Sequence, residues 1–231
     1  MNATEKAVIR SFLDTAQDYL SCGYRTEHKR EAIETIENIA AAITRCRNCK
    51  LSELRKNTVP GEGVKNPMVI VIGEAPGADE DAQGRPFVGA AGKLLDKMLS
   101  AVNLSRETNC FIANILKCRP PGNRDPEPDE RAACIHFLES QIYLLRPAAI
   151  LCAGRVSAQT LLQTNAPMSA MRGGKQMEYS LKMGELVLKI PLFAIYHPSA
   201  LLRNEAWKRP AWEDLKAFRQ FLDSNLQRMR T

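Results

Sequence analysis

The sequence predicts an α/β fold of three layers, α/β/α, in which helices cover both faces of a central, mainly parallel sheet of about four strands. Three observations carry this expectation. Short, nearly continuous apolar runs at 69–72, 110–116, 148–153 and 192–196 have strand length and little polar alternation, as strands buried on both faces do. Stretches with apolar residues at helical spacing lie between them, and such alternation implies right-handed crossovers and parallel strands. Several of the runs stop abruptly at Gly or His, which gathers tight loops at one edge of the sheet, where open α/β sheets bind ligands.

Taken in order, residues 3–22 and 26–44 read as helices, with Val8, Phe12, Leu13, Ala16 and Leu20, then Ile33, Ile36, Ile39, Ala40 and Ile43, at helical spacing. They form an expected N-terminal helical extension, 1–45, ahead of an α/β domain at 46–231. Residues 57–67, NTVPGEGVKNP, are turn formers and read as a loop. The strand Val69-Ile-Val-Ile72 then delivers Gly73-Glu-Ala-Pro-Gly77, and a Gly-rich stretch at 84–92 leads into an amphipathic helix carrying Leu94, Leu95, Met98, Leu99 and Val102. The second strand, 110–116, holds Asn114 inside an apolar run. A buried amide must find hydrogen-bond partners or cost about 1–3 kcal/mol. It is therefore either tied to neighbouring backbone or aimed at a ligand with paired donor and acceptor atoms. A helix is expected over 128–145, with Pro128 suited to its first turn and Asp129 and Glu130 at its positive end. A third strand at 148–154 and a helix at 155–162 follow. Residues 186–191 read as a further strand or hairpin arm, 192–196 as the last core strand, and 212–226 as a closing amphipathic helix. The last strand runs into His197-Pro-Ser-Ala-Leu-Leu-Arg-Asn204, read as a loop.

Composition narrows the function. With 231 residues, 45% of them hydrophobic and 25% charged, the chain can bury one sizeable core. A net charge of +6 permits contact with polyanions without requiring it. No apolar run approaches the ~20 residues of a membrane span, and MNATEKAVIR is not followed by an apolar signal segment. A cytoplasmic protein with no membrane partner, acting as a monomer, is expected. Lys93 after Gly92 has no Ser or Thr behind it, so the Gly-rich stretch lacks the spacing of a nucleotide-triphosphate cradle.

Seven cysteines in a chain of this kind argue against a disulfide framework. Cys22, Cys110 and Cys152 lie in apolar or helical contexts and read as small buried side chains. Cys46-Arg-Asn-Cys49 is a zinc or iron–sulfur half-site, or a redox pair. The redox reading wants the motif to open a helix after a strand, whereas here it follows a helix. The metal reading needs two further ligands, for which Cys118 and Cys134, flanking a proline-rich loop, are candidates. Unrelated buried thiols remain the alternative.

The set GEAPGADED (73–81), GRPFVG (84–89), ANILKCRPP (113–121) and HPSALLRN (197–204), with cysteines at 46, 49, 118 and 134, closely resembles the family 4, iron–sulfur type of uracil-DNA glycosylase. The resemblance covers about 46–222, with five separated motifs in the right order. It implies a [4Fe-4S] cluster on Cys46, Cys49, Cys118 and Cys134, and uracil-containing DNA as the partner. It implies a uracil pocket lined by Glu74, Ala75 and Pro76, with Phe87 stacking on the base and Asn114 reading its edge. His197 and Glu74 would be the catalytic residues. Leu201, with Arg203 beside it, would be the wedge that fills the gap left by the extruded base. Related family 1 enzymes place an Asp where this chain has Ala75, which leaves Glu74 as the nearest carboxylate in the motif. The implied reaction is hydrolytic removal of uracil. A damaged-DNA-binding module of the same fold and an iron–sulfur redox protein are the alternatives, and the second leaves Asn114, Phe87 and His197 unexplained.

Overall fold

The structure, a computed structural model, describes residues 35–228. The chain divides into Met1–Ile33 and Glu34–Thr231. The first unit, with the helix expected over 3–22 and the start of the next, lies outside the described residues.

The second unit is built on a six-stranded sheet of order β1-β3-β2-β4-β6-β5. Its four central strands, β3 (Cys110–Asn114), β2 (Val69–Gly73), β4 (Ala149–Ala153) and β6 (Leu186–Ile195), are parallel. Antiparallel strands close both edges: β1 (Glu62–Gly63) against β3, and β5 (Met177–Met183) against β6. Every residue of β2, β3 and β4 is buried, as expected for strands covered on both faces.

Successive residues of β2 serve opposite layers because strand side chains alternate. Ile70 and Ile72 join one core with Ile39 and Ile43 of α1 (Ile36–Arg45) and Leu138 and Ile142 of α5 (Pro128–Leu145). Val69 and Val71 join the other with Leu95 and Leu99 of α4 (Ala90–Ser100) and Leu215, Phe218 and Leu222 of α9 (Lys208–Arg228). The short helices α2 (Leu51–Leu54), α3 (Ala78–Gln83), α6 (Arg155–Leu162) and α7 (Met168–Met171) complete the two layers. Truncating a side chain such as Ile142 to Ala would cost about 2–5 kcal/mol.

Three differences from the sequence reading have physical causes. The α/β unit does not begin at 46: α1 belongs to it, since Ile39 and Ile43 have no exposure and pack beside α5. Residues 186–195 form one strand rather than an arm and a core strand. Pro191 is tolerated because β6 meets β4 only from Leu192 onward, so its missing N–H leaves no gap in that ladder. Residues 198–203 are a helix, α8 (Pro198–Arg203), with Pro198 in its first turn and His197 capping it.

Candidate functional site

Four parallel strands point the same way, so the segments leaving β2, β3 and β6 meet at one end of the sheet. There Glu74, Ala75, Pro76, Phe87, Asn114 and His197 all line a single cavity of about 650 Å³. Register accounts for their proximity. Gly73 pairs with Asn114 at the last step of the β2–β3 ladder. Beyond it, Ile115 N–H donates to the Gly73 carbonyl at 3.1 Å and Leu116 N–H to that of Glu74 at 3.0 Å. These bonds hold the loop after β2 against the chain that follows Asn114.

Asn114 is 2% exposed, and among the described residues its Oδ1 has no hydrogen-bond partner. A buried acceptor in that state costs about 1–3 kcal/mol, and a ligand N–H would remove the cost. Phe87 stands beside it in a left-handed backbone conformation, φ 53°, between two glycines that leave it room. A Cβ on Gly92 would fall 2.0 Å from the Phe87 carbonyl carbon, and one on Gly73 would fall 2.5 Å from Phe87 Cζ. The carbonyl of Phe87 accepts from Arg106 Nη2 at 3.0 Å, a buried bond that fixes the turn. The Phe87 and His197 rings lie 5.7 Å apart.

The hydrogen bonds of His197 define its tautomer. Its Nδ1 accepts the backbone N–H of Ser199 at 3.2 Å and lies 2.8 Å from Ser199 Oγ. A nitrogen that accepts an amide N–H carries no proton, so a neutral ring presents Nε2–H. Burial, and then the positive charge of Arg203, hold its pKa down to about 4, so the ring is neutral at physiological pH.

Glu74 behaves in the opposite sense. Burial, then the negative charge of Asp125, raise its pKa to about 7, while Arg155 and Arg131 pull it back. Arg155 also pairs with Asp125 at 2.6 Å. Such a carboxyl can exchange a proton near neutrality.

Glu80 was not singled out from the sequence as a site residue, yet it joins the two motif loops. Its carboxylate accepts from the N–H groups of Gly77 at 3.0 Å, Val88 at 2.9 Å and Gly89 at 3.0 Å. The signal was present: Gly77 caps α3 and Glu80 is its N3 residue, a capping-box spacing.

Leu201 does not stand where a wedge must stand. Helix α8 turns it inward, 2% exposed, and it is the next side chain, Leu202, that is 50% exposed, beside exposed Arg203. Helical phase, which the loop reading of 197–204 did not supply, turns Leu201 inward and Leu202 outward.

The four cysteines converge on the core beneath α1 and α5: Cys118 and Cys134 are buried in it, and Cys46 and Cys49 pack against it. Three of the sulfurs receive N–H donors, Cys118 from Arg55 Nη1 at 3.1 Å, Cys134 from the Lys117 amide at 3.3 Å and Cys46 from the Asn48 amide at 3.5 Å. Among the described residues no three His, Cys, Asp or Glu side chains gather tightly enough for one metal ion. A multinuclear cluster spreads its thiolates further apart than a single ion held at ~2.3 Å from each sulfur. Thiolates that accept N–H bonds suit cluster ligation.

Comparison with known proteins decides the family. Residues 60–216 match the uracil DNA glycosylase superfamily. The chain belongs to that superfamily. Its relatives include the type-4 uracil-DNA glycosylases of Archaeoglobus fulgidus, 41% identical over 187 residues (80% of this chain, 92% of the relative), and Saccharolobus solfataricus, 41% identical over 194 residues (83% and 88%). The type-4 enzyme of Thermotoga maritima is 35% identical over 194 residues, 82% of this chain and 95% of its own length. The superfamily match spans every element that lines the cavity, from the loop after β2 to the turn after α8. Among the described residues no helix is long and apolar enough to cross a membrane.

Proposed function

We propose that this superfamily member removes uracil from DNA by hydrolysing the N-glycosidic bond, leaving an abasic site for base excision repair. The observation that carries the reading is the orphaned Asn114 Oδ1, buried beside Phe87 and within one cavity with a neutral His197. A uracil extruded from the strand donates N3–H to that oxygen and accepts at O4 from Asn114 Nδ2. Cytosine presents an acceptor at N3 and an amine at C4, the reverse pattern, and would leave the amide unpaired. Phe87 supplies a stacking face for the ring.

As the bond between N1 and C1′ breaks, its electron pair moves onto the uracil ring. His197 Nε2–H, aimed at O2, stabilises that charge as a fixed donor, an arrangement whose loss typically costs ~10²–10³ in rate. Water forms the new bond to C1′ and passes a proton to Glu74, whose raised pKa suits a base near neutrality. Ala75 and Pro76 shape the wall and keep the base from bulk water. Exposed Leu202, with Arg203 next to it, would supply the apolar side chain that enters the vacated stack.

Cys46, Cys49, Cys118 and Cys134 would hold a [4Fe-4S] cluster. When bound it supplies a structural cross-link between the segment after α1 and the two ends of the loop that follows β3. Incubating the protein with a uracil-containing oligonucleotide and then alkali tests the activity. Cleavage at uracil is expected; an intact strand would overturn it.

A further inference from the structure

The cavity is also lined by Met168, Tyr196 and Trp207, which the uracil-excision steps above leave unused, with Arg203 beside them. Trp207 ends the short 3₁₀ turn Glu205–Trp207 between α8 and α9. Its ring stacks on Tyr196, centroids 4.8 Å apart and planes 11° from parallel. Tyr196 in turn carries the Arg172 guanidinium at 4.8 Å from its ring centre. That guanidinium is itself fixed, donating to Asp214 at 2.8 and 3.0 Å and to the Pro210 carbonyl at 2.8 Å. The backbone N–H of Trp207 donates to the Asn204 carbonyl at 3.2 Å, which fixes the turn that carries the ring. The indole is therefore supported by the anchored Tyr196 ring, yet Trp207 is 38% exposed and lines the cavity.

A large aromatic surface kept rigid and partly bare costs little conformational entropy when a flat partner lands on it. The substrate of this site is a strand, so bases adjacent to the extruded one must rest against the rim. Tyr196 directly precedes His197, which sets the platform one residue from the group that meets the uracil. Base–aromatic stacking is sequence-tolerant and accompanies positive side chains along a strand path, and Arg203 supplies such a charge here.

We propose that Trp207, backed by Tyr196, is a stacking subsite for the nucleobase next to the excised uracil. The proposal rests on the glycosylase reading and adds a second base to what the enzyme recognises. It favours substrates whose neighbouring base is free to unstack, as in single strands.

The sequence has two tryptophans, and Trp212 lies at a different surface depression. Trp212→Phe thus leaves Trp207 as the sole indole reporter. In stopped-flow mixing with a short single strand carrying uracil, indole fluorescence is expected to fall before base release. An oligonucleotide of equal length, with abasic spacers in place of the bases flanking uracil, is expected to leave it unchanged. In steady state Trp207→Ala should raise KM roughly tenfold on the flanked substrate, the loss that one stacked base corresponds to. The rise should vanish on the spacer substrate, kcat should hold within about twofold, and Trp207→Phe should recover most of the loss. Equal quenching by both oligonucleotides, or an unchanged KM in Trp207→Ala, overturns the subsite. Absence of uracil release by the parent enzyme would instead overturn the glycosylase reading, so the two failures are distinct.

Discussion

The ring of Phe87 fills the space that a side chain on Gly73 would need: Cζ lies 2.5 Å from the position of a Cβ there, and Asn114 Oδ1 lies 2.4 Å from the same point. Both obstructing atoms are the ends of side chains rather than backbone. The Gly73 backbone is also outside the left-handed region, so an added methyl displaces the two side chains proposed to read the base without straining the backbone there. Gly73→Ala should therefore melt within a few degrees of the parent and lose activity by about 10²-fold, the scale of an ångström-sized misplacement. Thermal melts and single-turnover uracil release measure the two effects separately. A large fall in Tm with activity per folded molecule preserved would contradict this relationship.

Asn114 should show function set against stability. Its unpartnered Oδ1 is a burden in the free protein, and Asn114→Ala removes it along with the amide proposed to read the base. The variant should keep or raise Tm while uracil release collapses. Loss of both together would mean that the amide serves the fold.

Two groups with opposite shifts predict the pH profile. His197, held near 4, stays neutral across the working range, so no inflection should occur near the ordinary histidine value. Glu74 accepts a proton only when ionised, so kcat/KM should rise with pH through about 7. Asp125→Asn removes a charge that raises the Glu74 pKa and should move this acid limb to lower pH. Arg155→Gln removes one that lowers it and should move the limb to higher pH. An acid limb that ignores both substitutions would exclude Glu74 as the proton acceptor.

Glu80 joins the loop after β2 to the loop bearing Phe87 through three backbone N–H groups. Hydrogen bonds to a charged group contribute about 1.5–3 kcal/mol each, so Glu80→Ala should destabilise by on the order of 2–3 kcal/mol or more. It should also raise KM for uracil-containing DNA, because Phe87 loses its anchor. Denaturant titration and steady-state kinetics check the pair, and a stability loss with KM unmoved would remove the positioning role.

Particular residues show what could be read in advance. The helix Pro128–Leu145 and the strand ending at Gly73 were legible because long apolar patterns and an abrupt Gly stop are local properties, whereas the strand read over 110–116 stops at Asn114 although the apolar run continues past it. The cavity residues Glu74, Ala75, Pro76 and His197 were legible because short Gly- or Pro-containing motifs directly follow apolar strand runs. The edge strand Glu62–Gly63 was not, since two residues among turn formers pair only because β3 offers a free edge. Met177–Met183 alternates in burial, a strand pattern that went unread beside the longer run that follows it. Leu201 and Leu202 are chemically identical, and only the phase of α8 sends one inward and the other out. Glu80 was hidden for a similar reason: its capping spacing was visible, but the two amides it reaches at 88 and 89 come from a loop that only the fold brings close.

Direct identification of the released base is the most searching measurement. The protein should be incubated with two otherwise identical single-stranded oligonucleotides, one with uracil and one with cytosine at the same position, and the free bases separated by chromatography. The account predicts uracil released in one-to-one ratio with abasic sites from the first, nothing from the second, and loss of the reaction by at least ~10²-fold in His197→Ala. Equal release from both substrates, or full activity in His197→Ala, would contradict it.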